Sequence, residues 1–159
     1  MTRVSNNIEF WMRPVRPKED AKFLFDLLKE RDSRANISHK KMPTYGSHVK
    51  FIESKPYKKW YIVYFVEFLS RSKLPKFNKI KAGSVYLSKN DEIGIFVLKK
   101  FQGKNIGKFA LEELINRNPR KQYLANVNPE NKKSSKFFKN NGFELIQHTY
   151  ELSKKPKKF

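Results

Sequence analysis

The segment Asp91–Asn118, DEIGIFVLKKFQGKNIGKFALEELINRN, admits few folds. An apolar run, Ile93 to Leu98, gives way to a basic turn, Lys99 to Lys104, and the turn opens directly into an amphipathic helix from about Ile106. Ile106, Ala110, Leu111, Leu114 and Ile115 recur at the spacing of a helix with one buried face. A strand, a glycine-containing turn and a helix start bring several free backbone N–H groups together, and the helix dipole points its positive end at them. The segment is therefore a site for phosphate.

With 159 residues the chain can bury one core without disulfides or metals, and it is expected to be a single domain, 1–159, with flexible tails at 1–7 and 153–159. It has no cysteine, which excludes disulfides, zinc–thiolate sites and thiol nucleophiles, and no metal is expected. MTRVSNNIEF lacks the apolar core of a signal peptide. The longest apolar stretch, Trp60–Leu69, is interrupted by Glu67 and is too short to span a bilayer, so a soluble cytoplasmic protein without membrane insertion is expected. The formal charge of +20 attracts polyanions: nucleic acid, an anionic membrane surface or phosphorylated small molecules. A lysine-rich surface that serves solubility alone has the same charge, so charge names no partner.

Ile8–Val15 reads as a first strand, with Pro14 at its edge or end. Pro17, Glu19 and Asp20 suit a helix N-terminus, and Ala21, Leu24, Leu27 and Leu28 carry the helix to about Arg31. Asp32–Pro43 is polar and aperiodic, a loop. Thr44 caps a second helix, Tyr45 to about Ser54, which Lys55-Pro56-Tyr57 breaks. Trp60–Phe68, aromatic and β-branched, has the composition of a central strand. After the basic connector Ser70–Asn78, Lys79–Leu87 forms a strand that turns at Ser88–Asp91 into an antiparallel hairpin with the run from Ile93. Asn118-Pro119 stops the third helix and Gln122–Val127 is a strand. Asn128 and Pro129 then start a helix that ends at Asn141-Gly142, and Phe143–Leu152 is the last strand. The order predicts an α/β (α+β) fold, a mostly antiparallel twisted sheet of about six to seven strands flanked by about four helices, with a crossover unit around the third helix.

Two local patterns resemble the GNAT family of N-acetyltransferases, and the likeness runs from about Ile8 to Leu152. Gln102-Gly103-Lys104-Asn105-Ile106-Gly107 is similar to the family's acetyl-CoA loop, Arg/Gln-x-x-Gly-x-Gly/Ala. Val127, Asn131, Ser134, Phe138 and Gly142-Phe143 are similar to its closing pattern, Val-x3-Asn-x2-Ala-x3-Tyr-x3-Gly-Phe. A Rossmann reading fails because GxGxxG is absent, and a P-loop reading fails because GxxxxGK[ST] is absent. There are three departures: Asn105 replaces the first motif glycine, Lys99 stands where many members have proline, and Phe138 replaces the tyrosine that often protonates the leaving thiolate.

The resemblance implies an acetyl-CoA-dependent N-acetyltransferase. The coenzyme would lie between the strand ending near Leu98 and the strand ending near Val127. N–H groups of Gly103, Lys104, Asn105, Ile106, Gly107 and Lys108 would hold its pyrophosphate beside Gln102, with charge added by Lys104 and Lys108. Backbone groups of Phe96, Val97 and Leu98 would bind the pantetheine arm and polarise the thioester carbonyl. Asn131 and Ser134 would contact the coenzyme, and Phe138 would pack along its thiol end. Glu92, at the start of the loop-bearing strand, is the first candidate base for an amine acceptor, with His48 and His39 the others. Tyr150 or solvent would serve as the acid that Phe138 cannot be.

The acceptor is expected to bind through the region Arg34–Trp60, with His39, Tyr45, His48 and Trp60 as candidate contacts. One acceptor class is an amino sugar or nucleotide-linked amino sugar, an anionic small-molecule amine that suits a cationic pocket. The Gly-Ser-His-x-x-Phe-Ile-Glu-Ser helix and the Asp91-Glu92-Ile93-Gly94 strand start resemble acetyltransferases of surface-sugar biosynthesis. The second class is a protein N-terminus or lysine, as in ribosomal-protein acetyltransferases. A third reading is a basic nucleic-acid-binding module without catalysis; it accounts for the charge, but no RNA-recognition, KH, zinc-finger or helix-turn-helix pattern accompanies it. A monomer or a homodimer fits either enzyme.

Overall fold

The structure, a computed structural model, describes residues 3–5, 8–31, 41–68 and 76–154. Its elements are β1 (Arg3–Ser5), β2 (Ile8–Pro14), α1 (Pro17–Glu30), α2 (Tyr45–Glu53), β3 (Lys59–Phe68), β4 (Phe77–Leu87), β5 (Ile93–Val97), a 3-10 turn (Lys99–Phe101), α3 (Ile106–Arg117) and α4 (Lys132–Asn140). The strands form one five-stranded sheet in chain order, β1-β2-β3-β4-β5, with every pair antiparallel.

β3 is the middle of this meander, and its composition follows from having a helical layer on each side. Tyr61, Val63 and Phe65 face a core built with Phe109, Ala110 and Leu114 of α3. Ile62 and Tyr64 face the opposite way, against Ala21 and Leu24 of α1 and Ile52 of α2. Two buried faces remove the polar alternation, which is why Tyr61–Val66 is continuously apolar and continuously buried. Thr44 caps α2 through Oγ1, which accepts from the Ser47 N–H at 3.2 Å.

α1 is anchored to the sheet by charge as well as by its apolar stripe. Asp20, fully buried in the first turn of α1, accepts from both Arg13 guanidinium nitrogens at 2.8 Å, from Lys81 Nζ at 2.8 Å and from the Arg16 N–H at 2.7 Å. Arg13 lies on β2 and Lys81 on β4, so one carboxylate ties the helix start to two strands flanking β3.

Several expectations are corrected. The sheet has five strands among the described residues, fewer than six to seven. Arg3–Ser5, expected within a flexible lead, pairs with β2 through Arg3↔Phe10 and Ser5↔Ile8. Gln122–Val127 makes only one bridge, Glu92↔Leu124, because the Tyr123 hydroxyl closes a turn by donating to the Asn118 carbonyl at 2.8 Å and accepting from the Arg120 N–H at 2.9 Å. The bridge is parallel, as the crossover around α3 requires.

Phe143–Leu152 does not form a strand. The alternation alone cannot hold one without a neighbouring edge, and Leu145, Ile146, Tyr150 and Leu152 are 68, 76, 91 and 91% exposed. α4 starts later than Asn128-Pro129 suggests. Asn128 Oδ1 accepts from the Glu130 N–H to make a local turn, and Asn131 is the cap, its Oδ1 accepting from the Ser134 N–H at 3.1 Å. No helix among the described residues is long and apolar enough to cross a membrane.

Candidate active site

The site begins where two neighbouring segments part. The Ile93 N–H donates to the Leu124 carbonyl at 2.7 Å, and the Leu124 N–H donates to the Asp91 carbonyl at 2.9 Å. Beyond that pair the chain leaves β5, and Asn126, Val127 and Asn128 face Ile93–Val97 across a cleft of about 610 Å³. Backbone alternation decides which groups of β5 look into the gap. The Leu98 N–H is taken by the Ala82 carbonyl of β4 at 2.8 Å, whereas the Ile93 N–H points the other way. Ile95 and Val97 share the direction of Ile93, so their main-chain groups face the opening. Of Phe96, Val97 and Leu98, Val97 thus offers backbone to the gap, while Phe96 offers its side chain and Leu98 packs on the α3 core.

At the far end of β5 the chain folds into the anion loop. Gly103 has φ +78° and Asn105, the N-cap of α3, has φ +64°. These two left-handed residues turn the chain sharply into the helix. The N–H groups of Gly103 to Lys108 have no acceptor among the described residues. Ile106 is itself buried in the core, so its contribution to a ligand is its main chain. Gly107 lets α4 approach: a Cβ there would lie 3.3 Å from the Phe137 ring. Gln102 ties the turn to both walls, its Nε2 donating to the Val97 carbonyl at 3.1 Å and its Oε1 accepting from Lys133 Nζ at 2.9 Å. Lys108 lies 3.9 Å from Glu112 and Lys104 sits 5.9 Å from the Phe65 ring centre, so neither ammonium lines the cleft.

α4 supplies the second wall, with Asn131, Ser134 and Phe138 facing the cleft. On the opposite side, Glu92, Gly94 and Phe96 share the face of β5 turned toward α1, from which Glu30 and Arg31 reach the opening. Glu92 is held by Ser88, whose Oγ accepts from the Glu92 N–H at 3.1 Å and lies 3.4 Å from the carboxylate. The cleft therefore joins Gln102 at the start of the glycine turn, an open strand edge and a carboxylate in one continuous space, while Gly103 to Lys108 lie outside its lining.

Other candidate residues fall elsewhere. His48 is buried between α1 and α2, its ring 5.4 Å from Phe25, and burial pushes its pKa down. Tyr45 packs edge-on against Phe25 and Tyr150 is exposed on the extended C-terminal segment; none of these three lines the cleft. Trp60 stands behind the site, its Nε1 donating to Ser84 Oγ at 2.7 Å. His39 lies outside the described residues. Arg31, Tyr57, Tyr86 and Gly94 do line the cleft, although the sequence reading passed over them. Their signal is cross-strand: Tyr86 pairs with Gly94, two residues from Glu92, and only the register reveals it.

The sequence profile of the acetyltransferase (GNAT) family matches residues 53–143. The chain belongs to that family. The GNAT match spans β3 through Phe143 and so contains both walls of the cleft. No curated protein matches the chain. Solved structures share its fold at low identity. A domain from Methanocaldococcus jannaschii is 19% identical with a TM-score of 0.71, covering 91% of this chain and 94% of that one. The aminoglycoside N-acetyltransferase AAC(6')-Iy in complex with CoA is 16% identical with a TM-score of 0.63, covering 97% and 100%. The protein yncA from Salmonella typhimurium, solved with its cofactor acetyl-CoA, is 14% identical with a TM-score of 0.55, covering 87% and 80%.

As a GNAT member the protein is an acyltransferase whose donor is acetyl-CoA, and its residues fit that molecule. The free N–H groups of Gly103 to Lys108 at the start of α3 would suit a pyrophosphate, and the N–H groups of Ile95 and Val97 would suit an extended arm, the Val97 carbonyl being taken by Gln102.

Proposed function

We propose that this GNAT protein transfers acetyl groups to the primary amine of an amino sugar or nucleotide-linked amino sugar, with Glu92 as the general base. The observation that carries the reading is the continuity of the cleft from Gln102 and Asn131, beside the anion loop, to Glu92 and the C-terminal end of α1. Donor and acceptor can then meet over β5 in one continuous space, which is what direct attack requires. The amino-sugar preference is supported by the likeness in fold to AAC(6')-Iy, a structure of which holds a bisubstrate analogue of CoA and acetylneamine. Arg31 and Lys132, which line the cleft, suit an acceptor that carries phosphate.

The chemistry supplied with the coenzyme is a thioester, so the C–N bond to the amine forms as the C–S bond breaks and the thiol departs. This chain's part is to hold and to deprotonate. The loop N–H groups hold the pyrophosphate, and the N–H groups of Ile95 and Val97 provide fixed donors along the arm. Glu92, oriented by Ser88, takes the amine proton directly or through one water. Phe138 has no proton to give, so the proton that reaches the departing thiolate comes from solvent or from the acceptor side.

The test pairs binding with turnover. Acetyl-CoA at about a hundred times its Kd should stabilise the fold by about 2.7 kcal/mol, and absence of a thermal shift would remove the coenzyme site. Glu92→Gln should lower kcat while leaving that shift intact. Acetylation of ribosomal-type peptides but not of amino sugars would replace the acceptor with a protein amine. Salt-sensitive nucleic-acid binding without acetyl transfer would replace the enzyme reading altogether.

A further inference from the structure

Tyr86 occupies a place in the cleft that the chain has cleared for it. It pairs with Gly94 across the β4–β5 ladder. A Cβ at Gly94 would overlap the Cε1, Cζ and Oη atoms of the Tyr86 ring, so the phenol lies over the glycine, between Glu92 and Phe96 on the same face of β5. Tyr57 stacks on the Tyr86 ring at 3.7 Å with the planes 4° apart. Trp60, fixed by its hydrogen bond to Ser84, meets Tyr57 edge-on at 4.9 Å and 90°. On the other flank the Arg31 guanidinium lies 3.8 Å over the Phe96 ring. The phenol lines the same opening as the Glu92 carboxylate.

A neutral primary amine has one lone pair and two N–H bonds. When the lone pair is aimed at an acyl carbon, two acceptors on the enzyme fix the two N–H groups and with them the direction of attack. Glu92 is one. We propose that the Tyr86 oxygen is the second and that this pair selects primary over secondary amines, an inference that rests on the acetyl-transfer reading above. A secondary amine has one N–H for Glu92 and must turn its alkyl group against the Tyr86 oxygen. The Tyr86 oxygen then keeps only the hydrogen bond it accepts from the Tyr57 hydroxyl, its second lone pair is left unused, and the alkyl group is crowded by the Tyr57 stack. Burial raises the Tyr86 pKa against the opposing pull of the Arg31 charge and the Tyr57 hydrogen bond, so the phenol keeps its own proton and Glu92 remains the group that takes the amine's. Tyr86 is a positioning residue in this account: it sets the direction of the lone pair and exchanges no proton.

The experiment compares kcat/KM for a 2-amino-2-deoxyhexose and for its N-methyl derivative at saturating acetyl-CoA. The same ratio is read in parallel for a peptide with a free and with an N-methylated α-amine. Tyr86→Phe keeps the stacked ring and removes only the oxygen. It should raise the acceptor KM and shrink the primary-to-secondary ratio by about threefold to tenfold, the effect of one hydrogen bond, with the acetyl-CoA thermal shift unchanged. An unchanged ratio, or a lost thermal shift, overturns the proposal. Gly94→Ala pushes the phenol away, so it should shrink the ratio as well, and the double variant should shrink it no further than Gly94→Ala alone. Additive losses would mean that the two residues act separately and would overturn the assignment. A wild-type enzyme that binds acetyl-CoA and acetylates the peptide alone changes the acceptor class but still reads the ratio. One that neither binds acetyl-CoA nor transfers acetyl brings down both readings together.

Discussion

Phe138 and Phe143 meet edge to face at 5.1 Å and 67° across the end of α4. Gly142 between them has φ +88°, with its N–H bonded to the Lys139 carbonyl and the Phe143 N–H bonded to the Phe138 carbonyl. These paired bonds make a Schellman ending, in which the residue after the glycine packs back on the last turn. Because Phe138 also lines the cleft, the helix stop and the cleft wall are one structure. Gly142→Ala places a Cβ at a left-handed residue and should cost about 1–2 kcal/mol of stability in chemical denaturation. It should also weaken acetyl-CoA binding, since Phe143 no longer props Phe138. A stability loss with full coenzyme affinity would separate the two roles.

The Arg13–Asp20 pair predicts how acid and mutation act on the frame. Burial drives the Asp20 carboxyl up, but hydrogen bonds from Arg13, Lys81 and the Arg16 N–H prevail and hold its pKa at about 2, below its ordinary 3.8. A depressed carboxylate stabilises the fold above its unfolded pKa and loses that contribution as pH falls from about 4 to about 2. Asp20→Ala leaves the buried Arg13 with only the half-exposed Glu19 carboxylate 3.8 Å away and should cost up to about 3–5 kcal/mol at neutral pH. The acid-limb slope between pH 4 and 2 should flatten in the same variant. Urea titrations of the two proteins across that range check both.

The frame was legible where one segment carries its own signal. The α1 stripe, the Thr44 cap, the continuous apolar run of β3 and the Gln102–Gly107 turn are all short-range patterns, and each element formed close to its expected bounds. Features that depend on a partner were not. The alternation of Phe143–Leu152 asks for a strand, but a strand exists only beside an edge, and the apolar pattern cannot say whether one is within reach. Tyr86 and Gly94 lie eight positions apart in sequence and touch because of one particular hairpin register. The register is less regular next door, where the β3–β4 ladder shifts between Val63 and Tyr64. His48 shows the converse: an imidazole suited to base catalysis by type is packed between helices, outside the lining of the cleft.

That buried imidazole predicts a second pH window. His48 is 6% exposed, its Nε2 has no partner among the described residues, and burial lowers its pKa from the ordinary 6.5. A histidine whose folded pKa is depressed favours the fold above its unfolded pKa. Below about 6.5 the unfolded chain takes up a proton that the folded chain refuses, so stability declines as pH falls from there. The melting temperature should therefore drop between pH 7 and 5, well above the Asp20 window, and His48→Gln should remove most of that slope. A slope that survives the substitution would place its origin in another group.

Asn105 provides the sharpest test of the coenzyme loop. It caps α3 at φ +64°, ψ +15°, and its side chain makes no capping hydrogen bond. The residue is therefore there for its backbone, and asparagine is among the few non-glycine residues that tolerate the left-handed region. Asn105→Gly should bind acetyl-CoA as well as wild type or better, because glycine enters this conformation without strain. Asn105→Val should be strained by roughly 1–2 kcal/mol at that φ and should relax by rotating the turn. Rotation redirects the N–H groups of Ile106, Gly107 and Lys108, and coenzyme affinity should fall by about tenfold or more, while the α3 core around Ile106 and Phe109 keeps the fold intact. Calorimetric titration of CoA into the three proteins reads the order directly. Equal affinities for the glycine and valine variants would mean that the loop conformation, and with it the N–H cradle, is not what binds the coenzyme.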